Sequence, residues 1–353
     1  MARLKRVDCS EPGITRRRQG RGFAYLDVAG KRVESGEVLA RIRELAIPPA
    51  WTEVWICTHA TGHLQATGID AAGRKQYLYH QRWRERRERQ KFEEMLDFAR
   101  TLPRLRRMIR ADFKSDELGR RQVLACALRL LDRGFFRIGS EDYAEQNDSY
   151  GLATIQKSHV SIEPRAIRFD YVAKSGRRQV QEIDDPDVHR IISRLKRRRG
   201  GGEELLAYKE RGRWVDLTST DINEYVKEGT GGDFSAKDFR TWNGTMLAAV
   251  ALSIDARSDG SRRPTKRAIS EAVKVVAGFL GNTPAVARGS YIDPRVFDRY
   301  LSGWTISPAL EEGADAFGLE RESSRKVIEE AVVDLIEEPR ASERVEKVAA
   351  PPG

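Results

Sequence analysis

The stretch "RWRERRERQKFEEMLDFARTLPRLRRMIRADF", residues 82–113, is where the chain changes character. It shows no strand-like alternation, is dense in arginine and reads as helix, with Pro103 expected to divide it. Upstream, residues 20–80 read as strands and turns. "GFAYLDVAGKRV" offers two alternating runs split by Ala29-Gly30, and "EVWICTHATGHLQATGIDAAGRKQYLYH" offers more, punctuated by Thr61-Gly62 and Ala72-Gly73. Between them "SGEVLARIRELAIPPAW" predicts a brief helix stopped by Pro48-Pro49. Downstream the pattern is mainly helical. "SDELGRRQVLACALRLLDRG" keeps apolar residues on one face and predicts a helix ending at Gly134. "SAKDFRTWNGTMLAAVALSI" opens with Ser235 and Asp238 in capping-box spacing. "PTKRAISEAVKVVAGFLG" and "SSRKVIEEAVVDLIEE" are two further amphipathic helices. One β interruption, "IRFDYVAKSGRRQV", predicts a hairpin with Lys174 at its tip.

The expected organisation is therefore α+β: a small β-rich domain over 1–88, a larger mainly α domain over 89–338, and a disordered tail over 339–353. "KRRRGGGEE" reads as a flexible loop.

The 353 residues carry 63 lysines and arginines against 53 acids, a formal charge of +10, which favours polyanionic partners and fast electrostatic encounter. No apolar run is long enough for a transmembrane helix, and the N-terminus "MARLKRVDCSEPG" lacks a signal-peptide core. Cys9, Cys57 and Cys126 are odd in number and far apart, which fits a reducing cytoplasm without disulfides or zinc spacing. His59 and His63 are four apart, but they fall in a strand-and-turn region where that spacing does not converge on a metal. No P-loop and no acidic cluster suited to Mg²⁺ appears, so neither cofactor nor metal is expected.

A basic chain of this kind could act on the phosphodiester backbone of DNA. Without Mg²⁺, the charge building on a phosphorane must be met by side-chain cations, best by forked arginines. Tyrosine can serve as nucleophile when cations favour its phenolate, and lysine can protonate the leaving oxygen. Candidates stand at structurally marked positions: Arg137 just after the helix that ends at Gly134, Lys174 at the hairpin tip, and Arg240 in the first turns of the capped helix. In "LGNTPAVARGSYIDPRVFDRY", residues 280–300, Asn282 and Tyr291 flank a short segment, and Tyr291 sits at a junction between two helix starts. Any one arginine in such a chain reads as solvated surface charge; the ordered set carries the chemistry.

That set, "RIGSEDY", "AKSG", "KDFRTWNG" and "GNTPAVARGSY", resembles the type IB DNA topoisomerases, specifically the compact poxvirus-type and bacterial branch. The resemblance covers roughly 20–335 and includes "GIDAAGRKQYLYH" in the β module. It implies the fold of the tyrosine recombinase/topoisomerase IB type. It further implies a reaction in which Tyr291 attacks the scissile phosphate to leave a 3′-phosphotyrosyl enzyme and a free 5′-hydroxyl, then religates without ATP. By the same resemblance Arg137 and Arg240 would stabilise the phosphorane and Lys174 would protonate the 5′ oxygen. Asn282 would donate to the phosphate where many relatives carry histidine. Arg74, Gln76, Tyr77 and Tyr79 would bind DNA from the β module, and Tyr143 from the catalytic domain. The expected partner is duplex DNA, preferably supercoiled, bound by a monomer in the cytoplasm at the nucleoid, with no membrane involved. Two alternatives remain at this point. A tyrosine recombinase shares the chemistry but usually has histidine three residues before the second arginine, where this chain has Lys237. A non-catalytic nucleic-acid-binding protein would be as basic but would never become covalently attached.

Overall fold

The computed structural model describes residues 3–114, 118–139, 144, 149–258, 264–310 and 322–348. The chain forms two compact units, Met1–Glu93 and Glu94–Gly353. No helix among the described residues is long and apolar enough to cross a membrane.

The N-terminal unit is built on five strands: β1 (Ile14–Gln19), β2 (Gly22–Leu26), β3 (Thr52–Ile56), β4 (Leu64–Ile69) and β5 (Lys75–Tyr79). They form one antiparallel sheet in the order β2-β1-β3-β4-β5. Helix α1 (Gly36–Glu44), capped by Ser35, contributes Ile42 to a core with Ile14, Val54, Ile56 and Ala66. The first full hairpin is β1–β2, turning after Gln19. The turn expected at Ala29-Gly30 is present, with the Asp27 N–H donating to the Lys31 carbonyl and the Val33 N–H to the Tyr25 carbonyl at 2.8 Å each, but its second arm is only a bridge from Leu26 to Arg32. Arginines at 16–18 hide β1 from a hydrophobic pattern. Arg16 nevertheless earns its place in the strand, stacking 4.2 Å from the Phe23 ring centroid and donating to the carbonyls of Pro48 and Trp51 at 3.1 and 2.6 Å.

Helix α2 (Gln81–Asp112) runs unbroken through Pro103, contrary to the expected division. A proline inside a helix costs roughly 3 kcal/mol. Here buried Phe98, Leu102, Leu105 and Ile109 lie on both sides of it, so packing of one continuous face offsets the lost hydrogen bond. In the second unit follow α3 (Arg120–Gly134), a sheet of β6 (Val160–Ile162), β7 (Ile167–Ala173) and β8 (Arg177–Ile183), and α4 (Pro186–Arg197). A small hairpin of β9 (Ala207–Glu210) and β10 (Arg213–Asp216) precedes α5 (Ser219–Thr230), α6 (Ala236–Ser258) and α7 (Lys266–Leu280). Then come α8 (Pro284–Tyr291), α9 (Pro294–Leu301), β11 (Trp304–Thr305) and α10 (Glu322–Glu337).

Three other expectations are amended. The left-handed residue that stops α3 is Phe135, at φ 55°, and not Gly134. Gly134 is required for packing, because a Cβ there would lie 2.3 Å from the Phe136 ring. The loop after α4 is anchored: Arg198 is buried, donates to the Leu205 carbonyl at 2.8 Å and lies 5.4 Å from the Trp214 ring. The segment expected as a disordered tail instead continues as a 3₁₀ turn at Pro339–Ala341 and a strand, β12 (Glu346–Lys347). β12 pairs with β11, which gives its backbone groups partners and ties it to the helical unit; residues 349–353 lie outside the described set.

Four helices meet at a buried ionic cluster. Arg106 of α2 donates to both carboxylate oxygens of Asp132 on α3, at 2.8 and 2.9 Å, and to both of Glu329 on α10, at 2.7 Å each. Arg325 bonds Glu329 at 3.0 Å, Asp132 at 3.2 Å and the Asn243 side chain of α6 at 2.9 Å. Burial alone would push the Asp132 carboxyl up, but Arg106 and Arg325 hold it well below the usual carboxylate range. Two cations and two anions balance, so removing one partner strands buried charge. Asp132→Ala is expected to cost about 3–5 kcal/mol, read as a lower urea midpoint at unchanged slope. A loss under about 1 kcal/mol would show the cluster to be dispensable.

Candidate active site

Arg137 follows the reversal at Phe135 and the buried Phe136, whose ring packs 4.9 Å from Phe169 and 6.1 Å from Tyr171. The Leu152 N–H donates to the Arg137 carbonyl at 2.8 Å, which fixes where the side chain starts. Its guanidinium donates to the Gly281 carbonyl at 3.2 Å and to Oδ1 of Asn282. A guanidinium can bond only the oxygen of that amide, so the Asn282 orientation is set by chemistry. Asn282 is 8% exposed, and its Nδ2 donor is buried without a partner.

Arg240 is the fifth residue of α6, just past its first turn, and the helix start is fastened by the Ser235 N–H and hydroxyl donating to Asp238 at 2.8 and 3.1 Å. Its Nη1 donates to the Phe135 carbonyl and its Nη2 to the Leu280 carbonyl, both at 2.8 Å, while Nε has no partner. Burial lowers its pKa, and the like charge of Arg137 lowers it further. Arg240 Cζ sits 5.0 Å from the centroid of the Tyr291 ring.

The backbone around Tyr291 is held from several sides. Helix α8 starts from the Thr283 cap and Pro284, ends at Tyr291, and passes through extended Ile292 to Asp293, which caps α9. Thr245 of α6 donates to the Tyr291 carbonyl at 3.4 Å and accepts from the Asp293 N–H at 3.1 Å. Gly244 allows that approach, since a Cβ there would fall 2.6 Å from the Tyr291 carbonyl oxygen. A junction between two helix starts thus clamps the main chain on α6 and leaves the phenol half-buried at a cavity wall.

That cavity, of about 300 Å³, is lined by Arg137, Lys174, Lys237, Arg240 and Tyr291, with Ser149 and Tyr150. Four cations and no carboxylate are found among its described lining residues. Lys174 stands at the tip between β7 and β8, where Ser175 and Gly176 both have positive φ. Asn282 is not part of the cavity wall but is joined to it through Arg137. Lys237 had been assigned no role from the sequence; its place three residues before Arg240 puts both on one helix face, and that spacing was the available signal. A second tyrosine near the site, Tyr171, is buried, and burial pushes its hydroxyl well above the ordinary range despite nearby Arg240 and Arg137. Of these two, Tyr291 lines the cavity and Tyr171 does not; Tyr150 also lines it, with its ring set edge-on against His159. His159 is structural: its Nδ1 accepts from the Gln156 N–H at 3.1 Å and its ring meets Tyr150 edge-on. Tyr143 lies outside the described residues.

The N-terminal candidates divide between two arrangements. Tyr77 and Tyr79 are exposed and stacked, with centroids 6.1 Å apart, and Lys75 lies 5.9 Å from the Tyr77 ring. Strand alternation puts Lys75, Tyr77 and Tyr79 on one face. Gln76 falls on the other, donating to Asp70 at 2.8 Å, and Arg74 pairs with the same carboxylate at 2.9 Å. The Arg74 backbone N–H and side chain, with Gln76, lower the Asp70 carboxyl to about 2. His63 accepts from the Val7 N–H at 3.2 Å and meets Trp83 edge-on. Among the described residues no group of three or more His, Cys, Asp or Glu side chains is placed to hold a metal ion.

Comparison with known proteins gives the family. Residues 80–301 match the family model described as the catalytic core of eukaryotic DNA topoisomerase I, and residues 22–70 match that of the bacterial DNA topoisomerase IB N-terminal domain. The chain is 31% identical over 290 residues to the DNA topoisomerase 1B of Acanthamoeba polyphaga mimivirus, covering 79% of this chain and 85% of that protein. It is 24% identical to the DNA topoisomerase 1 of Rabbit fibroma virus (strain Kasza), over 80% and 90% of the two chains. It is 22% identical to the DNA topoisomerase 1B of Vaccinia virus (strain Copenhagen), over 74% and 81%. The core match spans the elements that carry Arg137, Lys174, Arg240, Asn282 and Tyr291, and the chain belongs to the type IB DNA topoisomerase family.

Proposed function

We propose that Tyr291 is the nucleophile with which this topoisomerase opens one strand of duplex DNA, in a cavity whose charge is provided by Arg137, Arg240, Lys174 and Lys237. The phenol oxygen attacks phosphorus and loses its proton. The bond from phosphorus to the 5′ oxygen breaks, leaving a 3′-phosphotyrosyl strand, and Lys174 protonates the departing oxygen. Arg137 and Arg240 meet the charge that develops on the non-bridging oxygens. The mutual repulsion of these two arginines disfavours the empty site, and a bound phosphate relieves it. The Asn282 Nδ2, buried and unpartnered, supplies a neutral donor. The phosphotyrosyl ester conserves the energy of the broken bond, so the strand rotates and is resealed without ATP. The observation that carries this reading is the cavity itself: four cations, no acid among the described lining residues, and an accessible tyrosine under Arg240.

The N-terminal unit holds the duplex through Lys75, Tyr77 and Tyr79, with Arg74 and Gln76 reaching DNA by exchanging Asp70 for phosphate. Tyr143 adds a contact from the catalytic domain, as the family resemblance implies. The enzyme acts as a monomer on supercoiled DNA at the nucleoid in the cytoplasm.

Two experiments test this. The native protein should relax negatively supercoiled plasmid in EDTA without ATP, while Tyr291→Phe binds the plasmid and leaves its linking number unchanged. Relaxation by the phenylalanine variant would remove Tyr291 from the chemistry. Asn282→Ala should slow single-turnover cleavage about 10²-fold, the range for losing one transition-state donor. Asn282→His should restore donation and add to the rate–pH profile an ionisation near ~6.5 that the native enzyme lacks. The same limb in the native profile would mean that another group supplies the charge.

A further inference from the structure

The hairpin that carries Lys174 reaches the tyrosine segment through its second strand. Lys174, Ser175 and Gly176 are all exposed, and the last ladder pair before the tip is Ala173 opposite Arg177. Arg177 ties the tip to the tyrosine segment from outside the turn: its Nη1 donates to the main-chain carbonyl of Asn282 at 2.8 Å, across 105 residues of sequence. Gln179, two residues on and so on the same strand face, covers Gly281; a Cβ at Gly281 would lie 2.5 Å from its Nε2. Gly281 has φ 61° and closes α7, so the carbonyl that Arg177 holds stands at the exit of that helix, nine residues before Tyr291.

We propose that Arg177 is a positioning residue for the general acid. It latches the Lys174 hairpin to the backbone between α7 and α8, so that the proton donor and the nucleophile's segment are held in one frame. The inference rests on the reading of Lys174 as the acid that protonates the 5′ oxygen. Arg177 itself touches no reacting atom in this account. Its effect on rate comes through the placement of the Lys174 ammonium, where a small displacement weakens proton transfer to the leaving group. The acceptor is a main-chain carbonyl, so the latch is separate from the side-chain role of Asn282.

A change of leaving group tests this directly. A duplex with sulfur in place of the 5′ bridging oxygen at a mapped cleavage site expels a thiolate, which needs no proton donor because a thiol's pKa lies near ~8.5. Single-turnover cleavage should fall about 10- to 100-fold for Arg177→Ala on the oxygen substrate, a part of the 10²- to 10⁴-fold range of general-acid catalysis. On the sulfur substrate it should stay within about threefold of native, with Arg177→Lys intermediate on oxygen. Lys174→Ala is measured in parallel. If it is rescued by sulfur but Arg177→Ala is native on both substrates, or equally slow on both, the latch is refuted and the general-acid reading stands. Equal slowing is also the result expected of an arginine that merely supports the fold or grips a DNA phosphate. If Lys174→Ala is not rescued, the assignment of the acid fails and the latch fails with it.

Discussion

One buried guanidinium ties the site together. Arg240 donates to the carbonyl of Phe135, which caps α3, and to that of Leu280, the last residue of α7, while its charged face lies against the Tyr291 ring. Helix C-termini carry partial negative charge and unsatisfied carbonyls, so each of these ends is a natural acceptor for a cation. Burial of Arg240 would be costly without such partners. In return, one side chain fixes the end of α3, from which Arg137 departs, and the end of α7, from which Asn282 and α8 depart. Arg137 repeats the device at Gly281 one residue later. Arg137 and Arg240 thus hold the ends of the helices that present the other cavity groups, so the fold itself orients their charges.

The same constraint explains the odd position of Tyr291. A tyrosine in mid-helix would be packed on several sides, as strand-borne Tyr171 is, and its hydroxyl would be harder to ionise. At the α8–α9 junction, main-chain bonds to Thr245 and the close approach at Gly244 hold the Cα, and the phenol is left to the cavity.

Much of the candidate site was legible in the sequence because its residues sit at punctuation. Lys174 precedes a Ser-Gly turn, Asn282 follows a helix-ending glycine, and Arg240 follows a capping box. The β-to-α change near residue 82 was visible from periodicity alone. The identity of the set came from family resemblance, since 63 lysines and arginines offer far too many equally plausible cations. What the sequence hid had physical reasons. Strand β1 reads as a charge run because its arginines use their stems and guanidiniums as packing surface and tethers. Pro103 looks like a helix stop because the tertiary packing that overrides it is nonlocal. Gln76 sits between two tyrosines in sequence but on the opposite strand face, a distinction that needs the register. Arg177 could not be read as part of the site, because the carbonyl it holds lies 105 residues away, whereas Lys237 was within reach of its three-residue spacing to Arg240.

The central claim is that a covalent bond forms between Tyr291 and the 3′ phosphate of a broken strand. The direct measurement is to denature the enzyme during cleavage of duplex DNA, digest the trapped adduct, and identify by mass the peptide and the nucleotide end it carries. The account predicts a nucleotide joined through its 3′ phosphate to the peptide containing Tyr291, with a free 5′-hydroxyl on the other strand end. Attachment to another residue, linkage through a 5′ phosphate, or no adduct under conditions where plasmid is relaxed would contradict it.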